Sequence, residues 1–401
     1  MKKSIITFIT ILSIACCGMS VTAQASTVTE ASKDNLEQAE QSIYDFFYVF
    51  ENVDLKYNIT DSMRIIAQLA SNENRTVYSL EKNRPSLARD DRSFLNTVEY
   101  MLQRREYILN SLDTDENEYN KKIDVKIAQV KKKNDCLEVQ ASVYKTWNYI
   151  FSKDVESAAK DEYNVTLIME NGKYVIQKIT GFGASIYDEN LIASNDEISQ
   201  KKKELLLYDL RICYETDAKE NISTPYVNDK ESKAQVAAST YDGGQASSYA
   251  LNHALNYNPN YADFSGNGGD CTNFISQCLY AGGISQHVGT AYSTNSWFYK
   301  TSTNRSATWT SANIFKNYVT GSSSKINMPS SSWGSVTYGD IIQLLSGSNA
   351  YHSMIVSGIV YGTSGRSDLL ICCHSADRRH VSLSEYFGSS TKKYYHVKGN
   401  K

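Results

Sequence analysis

The sequence predicts an α+β protein built from two mixed regions. Apolar residues recur at helical spacing between about residues 33 and 110, and they alternate with polar residues between about 122 and 180. From Tyr241 onward the chain becomes rich in Gly, Ser, Asn and Tyr and poor in charges. The length of 401 residues and this change of composition indicate two domains behind an N-terminal leader.

The leader has the pattern of a secretory signal peptide. Two lysines precede an apolar run over 4–18, and the small residues Ala23 and Ala25 form a cleavage site, which we expect to be cut after Ala25. A lipoprotein modified at Cys16 or Cys17 is the alternative, but the preceding residues lack the aliphatic side chain that lipidation requires. No later stretch is apolar enough to span a membrane, so we expect a secreted or cell-wall-associated chain without a membrane partner.

Composition limits the partners of the mature chain. The formal net charge is −3 and no basic stripe occurs, which argues against nucleic acid. The chain contains 29 tyrosines, a residue that suits contacts with sugars and peptides. Tyrosine is equally common in the strands of secreted proteins, so both interpretations stay open. The sequence does not indicate an oligomeric state.

The first region reads as helices followed by a strand meander. Helical periodicity is clearest in NLEQAEQSIYDFFYVF and in DDRSFLNTVEYMLQRREYILNSL, where Asp91 or Ser93 can cap the helix. Alternation then predicts two strands around a turn at 132–135 and a hairpin around Asn171-Gly172. We assign this α+β domain to residues 30–215. Its element order resembles the nuclear-transport-factor-like fold, and because it holds no catalytic constellation we expect a spacer or wall-binding accessory domain.

A linker separates this domain from the second one. Residues 196–218 form a charged, helix-like stretch, and residues 216–240 are polar with few large apolar side chains. The second domain then covers 241–401 and contains all the chemistry that the sequence offers.

Cysteine spacing does not indicate a disulfide framework. Six cysteines lie beyond the leader: Cys136, Cys213, Cys271, Cys278, Cys372 and Cys373. Cys271 and Cys278 lie two helical turns apart, too far for a bridge within one helix, and the last two are adjacent. A Cys136–Cys213 bridge remains open. Without a CxxC pair we expect no structural zinc, and the sequence implies no cofactor.

Cys271 is the candidate nucleophile. It follows Gly268-Gly269, which permit a tight turn, and Asp270, a good N-cap residue, and it opens a helix that should end at Gly282-Gly283. The positive end of a helix favours a thiolate. Cys278, two turns further along the same apolar stripe, reads as an inert core residue. The alternative is that Cys271 is also only structural.

The nucleophile needs a base, and two histidines lie on predicted neighbouring strands. His352 begins the strand YHSMIVSGIVYG and His374 ends the strand DLLICCHSAD. A cysteine–histidine pair needs a third polar group to orient the imidazole, and His374, Asp377 or Asp340 can supply it. The alternatives are that both histidines are ordinary sheet residues, or that they bind zinc together with His380, although no HExxH spacing supports a metal.

The second region resembles the putative amidase domain family of bacterial exported proteins. The residues that carry the resemblance are NPNY, GGDCTNFISQCLYAGG and the later YGDIIQLL, YHSMIVSGI and LICCHSAD, within about 240–400. That family is similar to the papain-like CHAP and NlpC-type cysteine hydrolases. The resemblance implies a papain-like domain in which a helix carrying Cys271 packs on an antiparallel sheet. It further implies Cys271 as nucleophile, His352 as general base and then acid, and His374 as the third polar group.

Three further residues match motif positions of this family. We expect Asp270 to cap the helix and Asn273 and Gln277 to make structural hydrogen bonds, although Gln277 could also face the substrate. The backbone N–H of Cys271 is the best candidate for an oxyanion donor because a helix N-terminus presents free donors.

The expected activity is cysteine-dependent hydrolysis of amide bonds in peptidoglycan. One alternative is an exported cysteine protease that cuts proteins or peptides. Another is a decayed, non-catalytic wall-binding protein. The N-terminal domain could also bind over the cysteine and inhibit it. Aromatic residues in the segments 295–300 and 309–318 either line the substrate groove or belong to the core.

Overall fold

The structure is a computed structural model that describes residues 33–52, 59–83, 94–111, 118–133, 135–150, 152–181, 241–265, 269–362, 365–387 and 390–401. It is a mixed α+β structure with a mainly antiparallel sheet, so the predicted fold class is confirmed. The predicted signal peptide, the caps at Asp91 and Ser93, the helix-like stretch over 196–218 and the linker over 216–240 lie outside the described residues. The domain boundaries stay predictions.

In the described residues, the first part contains four helices followed by four strands. They are α1 (Lys33–Glu51), α2 (Ile59–Gln68), α3 (Asn72–Asn83), α4 (Leu95–Ser111), β1 (Glu118–Lys133), β2 (Cys136–Tyr149), β3 (Ser152–Glu170) and β4 (Lys173–Thr180). Helix α1 buries one apolar stripe, including Ile43, Phe46, Phe47 and Phe50, in a core that it shares with the strands.

Both predicted hairpins of this part are present. Strands β1 and β2 pair up to Lys133 opposite Cys136, and β3 and β4 pair up to Glu170 opposite Lys173. Asn171 and Gly172 have φ angles of 51° and 77°. A two-residue hairpin loop with both angles positive is the type that Asn-Gly favours, so the sequence alone sets the register here.

The second part has five helices and eight strands in the described residues. The helices are α5 (Gly243–His253), α6 (Cys271–Ala281), α7 (Ala307–Thr310), α8 (Ala312–Thr320) and α9 (Leu383–Phe387). The strands are β5 (Ile326–Asn327), β6 (Ser330–Ser331), β7 (Ile341–Ser346), β8 (Asn349–Gly362), β9 (Gly365–Cys373), β10 (Arg378–Ser382), β11 (Thr391–Tyr395) and β12 (Gly399–Asn400).

One sheet runs through both parts of the chain. Its strand order is β1-β2-β3-β10-β9-β8-β7-β11-β6, and β4 also pairs with β3. The junction is the antiparallel contact of β3 with β10, where Arg378 pairs with Ala159 and Arg379 with Ala158. The backbone N–H of Lys160 also donates to the carbonyl of Asp377 at 3.0 Å. The N-terminal part is therefore joined to the second part edge to edge.

Three apolar clusters fill the layers. The first lies between α1–α4 and the sheet of the N-terminal part, and the second lies between helices α5, α6 and α8 and one face of the second part's strands. The third cluster covers the opposite face, and it combines Trp147 and Tyr149 of β2 with Met354 and Val356 of β8 and with Phe387. Side chains of both parts therefore bury apolar surface together, which strengthens the contact made by the backbone.

No helix within the described ranges has the length and apolar character needed to cross a membrane.

Candidate active site

Helix α6 begins at Cys271, as the sequence predicts, and is capped at its C-terminus by Gly282. Gly283 follows with a φ of 99°, in the left-handed region that glycine adopts without strain. Every residue of the helix from Cys271 to Leu279 is buried, so polar as well as apolar positions face protein. This helix therefore depends on specific hydrogen bonds as much as on its apolar stripe.

Asp270 stands at the N-cap position, but its side chain does not cap the helix, which corrects the predicted role. Its Oδ1 accepts the backbone N–H of Phe264 at 3.0 Å and the amide of Asn273 at 2.8 Å. Its Oδ2 lies 2.6 Å from Nδ1 of His374. The carboxylate, only 1% exposed, instead ties the preceding loop and strand β9 to the start of α6. These three hydrogen bonds, of which only the one to His374 reaches a distant part of the sequence, take the place of the local cap.

Both ring nitrogens of His374 have hydrogen-bond partners. Its Nδ1 bonds to Asp270 and its Nε2 lies 2.9 Å from the carbonyl oxygen of His253. Both partner atoms are oxygens that accept hydrogen bonds, so each ring nitrogen has a partner within the protein. The ring lies between Tyr257, with centroids 3.7 Å apart, and Phe274, with centroids 4.0 Å apart, so two aromatic faces fix its orientation.

This arrangement differs from the predicted role of His374. We expected it to orient His352, yet both of its nitrogens bind elsewhere, and no hydrogen bond joins the two histidines in the described part of the chain. The geometry instead gives His374 the task of fixing Asp270, the residue that precedes Cys271. Strand β9 ends at Cys373, so His374 follows it directly.

Cys271 is 6% exposed, and its sulfur is surrounded by weak donors. The Sγ atom lies 3.7 Å from Oγ1 of Thr272, and it accepts backbone hydrogen bonds from Thr272 and Ser353. Burial nevertheless raises the pKa of the thiol above its usual range, and these hydrogen bonds only moderate the effect. The predicted thiolate at the helix start is thus corrected: desolvation outweighs the helix terminus here.

His352 lies on β8 and is 7% exposed. Its ring stacks on Phe387 of α9 at a centroid distance of 5.5 Å. Its Nε2 is buried without a hydrogen-bond partner among the described residues. Burial, and then the positive charge of Arg378, lower the pKa of the imidazole to about 4. The imidazole is therefore neutral at neutral pH and keeps one ring nitrogen available.

Ser353, the residue after His352, connects the strand to the cysteine. Its backbone hydrogen-bonds the Cys271 sulfur, and its Oγ lies 3.0 Å from Oγ1 of Thr272 and accepts Nε2 of Gln343 at 3.0 Å. Its side chain therefore faces α6, whereas His352 faces α9 across the strand. No hydrogen bond among the described residues joins Cys271 to His352. The Ser353 link was not predicted, because a backbone donor leaves no residue-type signal.

The remaining supporting residues make structural hydrogen bonds. Asn273 donates to the carbonyl of Ala262 at 3.1 Å and accepts Nε1 of Trp309 at 2.9 Å. Gln277 accepts the hydroxyl of Tyr249 at 2.8 Å and is 3% exposed, so its side chain is buried and hydrogen-bonded within the protein.

The two alternative aspartates also bind elsewhere. Asp340 accepts the backbone N–H of Val397 at 2.8 Å and lies 2.9 Å from Nδ1 of His396. Asp377 accepts the hydroxyl of Tyr257 at 2.8 Å, and burial raises its pKa. Neither of them contacts His352 among the described residues.

Both aromatic segments belong mainly to the core. Trp297, Phe298, Trp309 and Phe315 are fully buried, so of the two alternatives the core interpretation holds for these side chains. Trp297 donates from Nε1 to Ser276 at 3.1 Å, which anchors the segment to α6.

Among the described residues, the other cysteines and the histidines do not form a second centre. Cys278, Cys372 and Cys373 are buried, and burial raises the pKa of each thiol. Cys213, the partner considered for Cys136, lies outside the described residues, so the question of their bridge stays open. Within the described ranges no three His, Cys, Asp or Glu side chains are grouped so that they could hold a metal ion.

A cysteine at the first residue of a buried helix, beside a strand with a buried neutral histidine, defines a candidate thiol-dependent enzyme site. Residues 240–397 match the sequence model of the family described as Putative amidase domain. The predicted family resemblance is confirmed for this part of the chain, and the match indicates a hydrolase that acts on amides. No curated protein and no solved structure matches the chain.

Proposed function

We propose that this protein is an exported, papain-like cysteine amidase in which Cys271 is the nucleophile and His352 the general base and acid. The observation that carries the proposal is the contact at Ser353. The Oγ of this residue lies 3.0 Å from Oγ1 of Thr272, the residue after Cys271, and Ser353 directly follows His352, whose Nε2 has no hydrogen-bond partner in the described residues. The family match over 240–397 supports amide bonds as the substrate.

The resting pair is a thiol beside a neutral imidazole. The pKa of Cys271 is raised by burial, and the pKa of His352 is lowered to about 4 by burial and by Arg378. A neutral imidazole can accept a proton at Nε2, so deprotonation of the thiol coincides with attack rather than preceding it. In this structure the imidazole stacks on Phe387, on the face of β8 opposite to the side chain of Ser353, so this step requires the side chain of His352 to turn toward the sulfur when substrate binds.

The reaction then follows from the available groups. The sulfur attacks the amide carbonyl carbon, and His352 takes the thiol proton. The protonated imidazole gives this proton to the leaving amine as the C–N bond breaks, which leaves a thioester on Cys271. Water then attacks the thioester, His352 takes a proton from that water, and the proton returns to the sulfur as the C–S bond breaks and the carboxylic acid leaves.

The start of α6 supplies the best candidate donors for the tetrahedral oxyanion. The first N–H groups of a helix have no partner within the helix, and Cys271 is the first residue of α6. Asp270 is less suitable, because its backbone N–H already donates to Oγ of Ser375 at 2.5 Å. The Asp270–His374 pair holds this turn in place and so acts on the nucleophile indirectly.

We propose peptidoglycan as the substrate and export as the route. The leader pattern over 1–25 supports export, and the resemblance to exported wall hydrolases supports the substrate. The test is mass spectrometry of muropeptides released from purified cell walls by the mature protein, with casein as a parallel substrate. We expect wall fragments with new amine ends from the wild type and none from C271A or H352A, while circular dichroism shows that both variants fold.

The results separate the alternatives. Cleavage of casein but not of walls favours the exported protease. Binding to walls without release of any product favours the non-catalytic wall-binding protein. Undiminished release by C271A would show that another group is the nucleophile.

A further inference from the structure

Arg378 lies at the junction of the two parts of the chain. It begins strand β10, pairs with Ala159 of β3, and is 7% exposed. Its guanidinium bonds to Asp161 of β3 at 2.5 Å and donates to the carbonyl of Lys160 at 2.9 Å. An arginine held by a carboxylate and a carbonyl in a buried position has a fixed orientation.

The other side of Arg378 faces the helix that supports His352. Its guanidinium lies over the ring of Tyr386, 4.8 Å from the centroid, and the next residue, Phe387, stacks on His352. The Nε atom of Arg378 is buried and has no partner among the described residues. Two consecutive residues of α9 thus connect the arginine to the imidazole.

We propose that Arg378 is a positioning residue for His352 and that Asp161, from the N-terminal part, holds it in place. The proposal rests on the proposed role of His352 as the catalytic base. It makes strand β3 a part of the catalytic unit, beyond the spacer or wall-binding function expected of the N-terminal domain.

The charges around His352 give this contact an electrostatic consequence. Arg378 of β10 contributes positive charge at the imidazole, Phe387 of α9 stacks on it, and the thiol of Cys271, whose pKa is raised by burial, is neutral. The positive charge of Arg378 lowers the pKa of His352, which keeps the imidazole a proton acceptor.

Asp161 does not hold Arg378 alone. Lys145 of β2 lies 3.5 Å from the same carboxylate and 2.8 Å from Glu51 of α1, so the negative charge of Asp161 is shared between two cations. Removing Arg378 therefore leaves Asp161 with one cation, and the buried carboxylate stays paired.

The adjacent Arg379 provides a matched control. It bonds to Glu156 of β3 at 2.5 Å, so it joins the same two strands, but it is on the exposed side. Its charge lowers the pKa of His380, not that of His352. The two arginines therefore allow the effect of the strand contact to be separated from the effect on the imidazole.

The test is an NMR titration of ring-labelled histidines in the full chain with Cys271→Ala, so that the thiol does not titrate. At an effective dielectric constant of about 20, a unit charge within about 10 Å shifts a titration midpoint by roughly one pH unit. We expect Arg378→Gln to move the midpoint of His352 up by about this amount and to leave His380 unchanged. Arg378→Lys should restore most of the difference, and Arg379→Gln should move His380 alone.

Equal midpoints for His352 in the wild-type and Arg378→Gln backgrounds would overturn the proposal, as would an equal shift from Arg379→Gln. If Arg378→Gln does not fold, the D161N/R378Q double variant, which removes both charges of the pair, is titrated with the same expectation. The titration needs no turnover, so it is independent of the substrate. Activity that survives Cys271→Ala contradicts the proposed function, whereas an unmoved His352 in R378Q contradicts only this inference.

Discussion

The surroundings of His380 predict that acid destabilises the junction between the two parts of the sheet, and they allow the loss of stability to be estimated. His380 lies in β10, is 4% exposed, and has a φ of 57°. Its Nε2 lies 3.0 Å from Oγ of Ser152 in β3, and its Nδ1 lies 3.1 Å from Oγ of Ser357 in β8. Burial, together with the charge of Arg379, lowers the pKa of His380 to about 4.

The size of the effect follows from proton linkage. Unfolded His380 titrates near 6.5 and folded His380 near 4, so the unfolded chain binds the extra proton between these values. A lowered histidine pKa means that stability is retained above pH 6.5 and lost as the pH falls toward 4. At pH 5 the loss is about 2 kcal/mol, and it approaches about 3 kcal/mol below pH 4.

The assay compares urea unfolding of the wild type and His380→Asn at pH 7.5 and pH 5. Asparagine carries no titrating proton, tolerates the left-handed φ, and places its amide near the position of Nδ1. Any bond lost to Ser152 lowers stability equally at both pH values and cancels in the comparison. We expect the wild type to lose about 2 kcal/mol more than the variant on acidification. Equal losses in the two proteins would refute the assignment of this lability to His380.

Two other predictions concern the thiols and the turns. Iodoacetamide should label Cys271 before Cys278 in the folded protein, because Cys278 is fully buried. Labelling of Cys271 should itself be slow until urea exposes the thiol. Peptide mass spectrometry gives the order of labelling, and faster labelling of Cys278 would contradict the burial of this helix. Gly339→Ala should cost more stability than Gly172→Ala: both have positive φ, but a Cβ at 339 would lie 2.5 Å from the backbone of Gly243, whereas a Cβ at 172 meets open space. We expect about 1 kcal/mol for Gly172→Ala and several for Gly339→Ala from thermal melts, and equal costs would contradict this packing.

The sequence predicted the elements whose signals are local. Helix α6 was predicted from a glycine pair, an aspartate and an apolar stripe, and the hairpin at Asn171-Gly172 was predicted from that dipeptide and the alternating runs beside it. The strand with His352 was found from alternation, which also placed Met354 and Val356 on the histidine's face. These features depend on residues that are neighbours in the chain.

The contacts between distant segments could not be predicted in the same way. Strand β3 meets β10 across more than two hundred residues, as in the hydrogen bond from the Ser157 hydroxyl to the carbonyl of His380. No sequence pattern in either strand identifies the other as its pairing partner. The carboxylate of Asp270 suits a cap by residue type, and only the fold brings His374 within 2.6 Å of it. A single sequence shows that Asp270 can cap a helix, but it does not show which residues compete for hydrogen bonds to its carboxylate.

The two thiols of α6 show what distinguishes a nucleophile in this fold. Burial raises the pKa of both Cys271 and Cys278, so desolvation alone does not separate them. Cys271 differs because Thr272 and the backbone of Ser353 direct hydrogen bonds at its sulfur, whereas at Cys278 the donor is the backbone of the same residue. The donors at Cys271 can stabilise negative charge that forms during attack. In the proposed mechanism the activation of Cys271 therefore depends on proton transfer to His352 when substrate is bound, and not on a thiolate that exists beforehand.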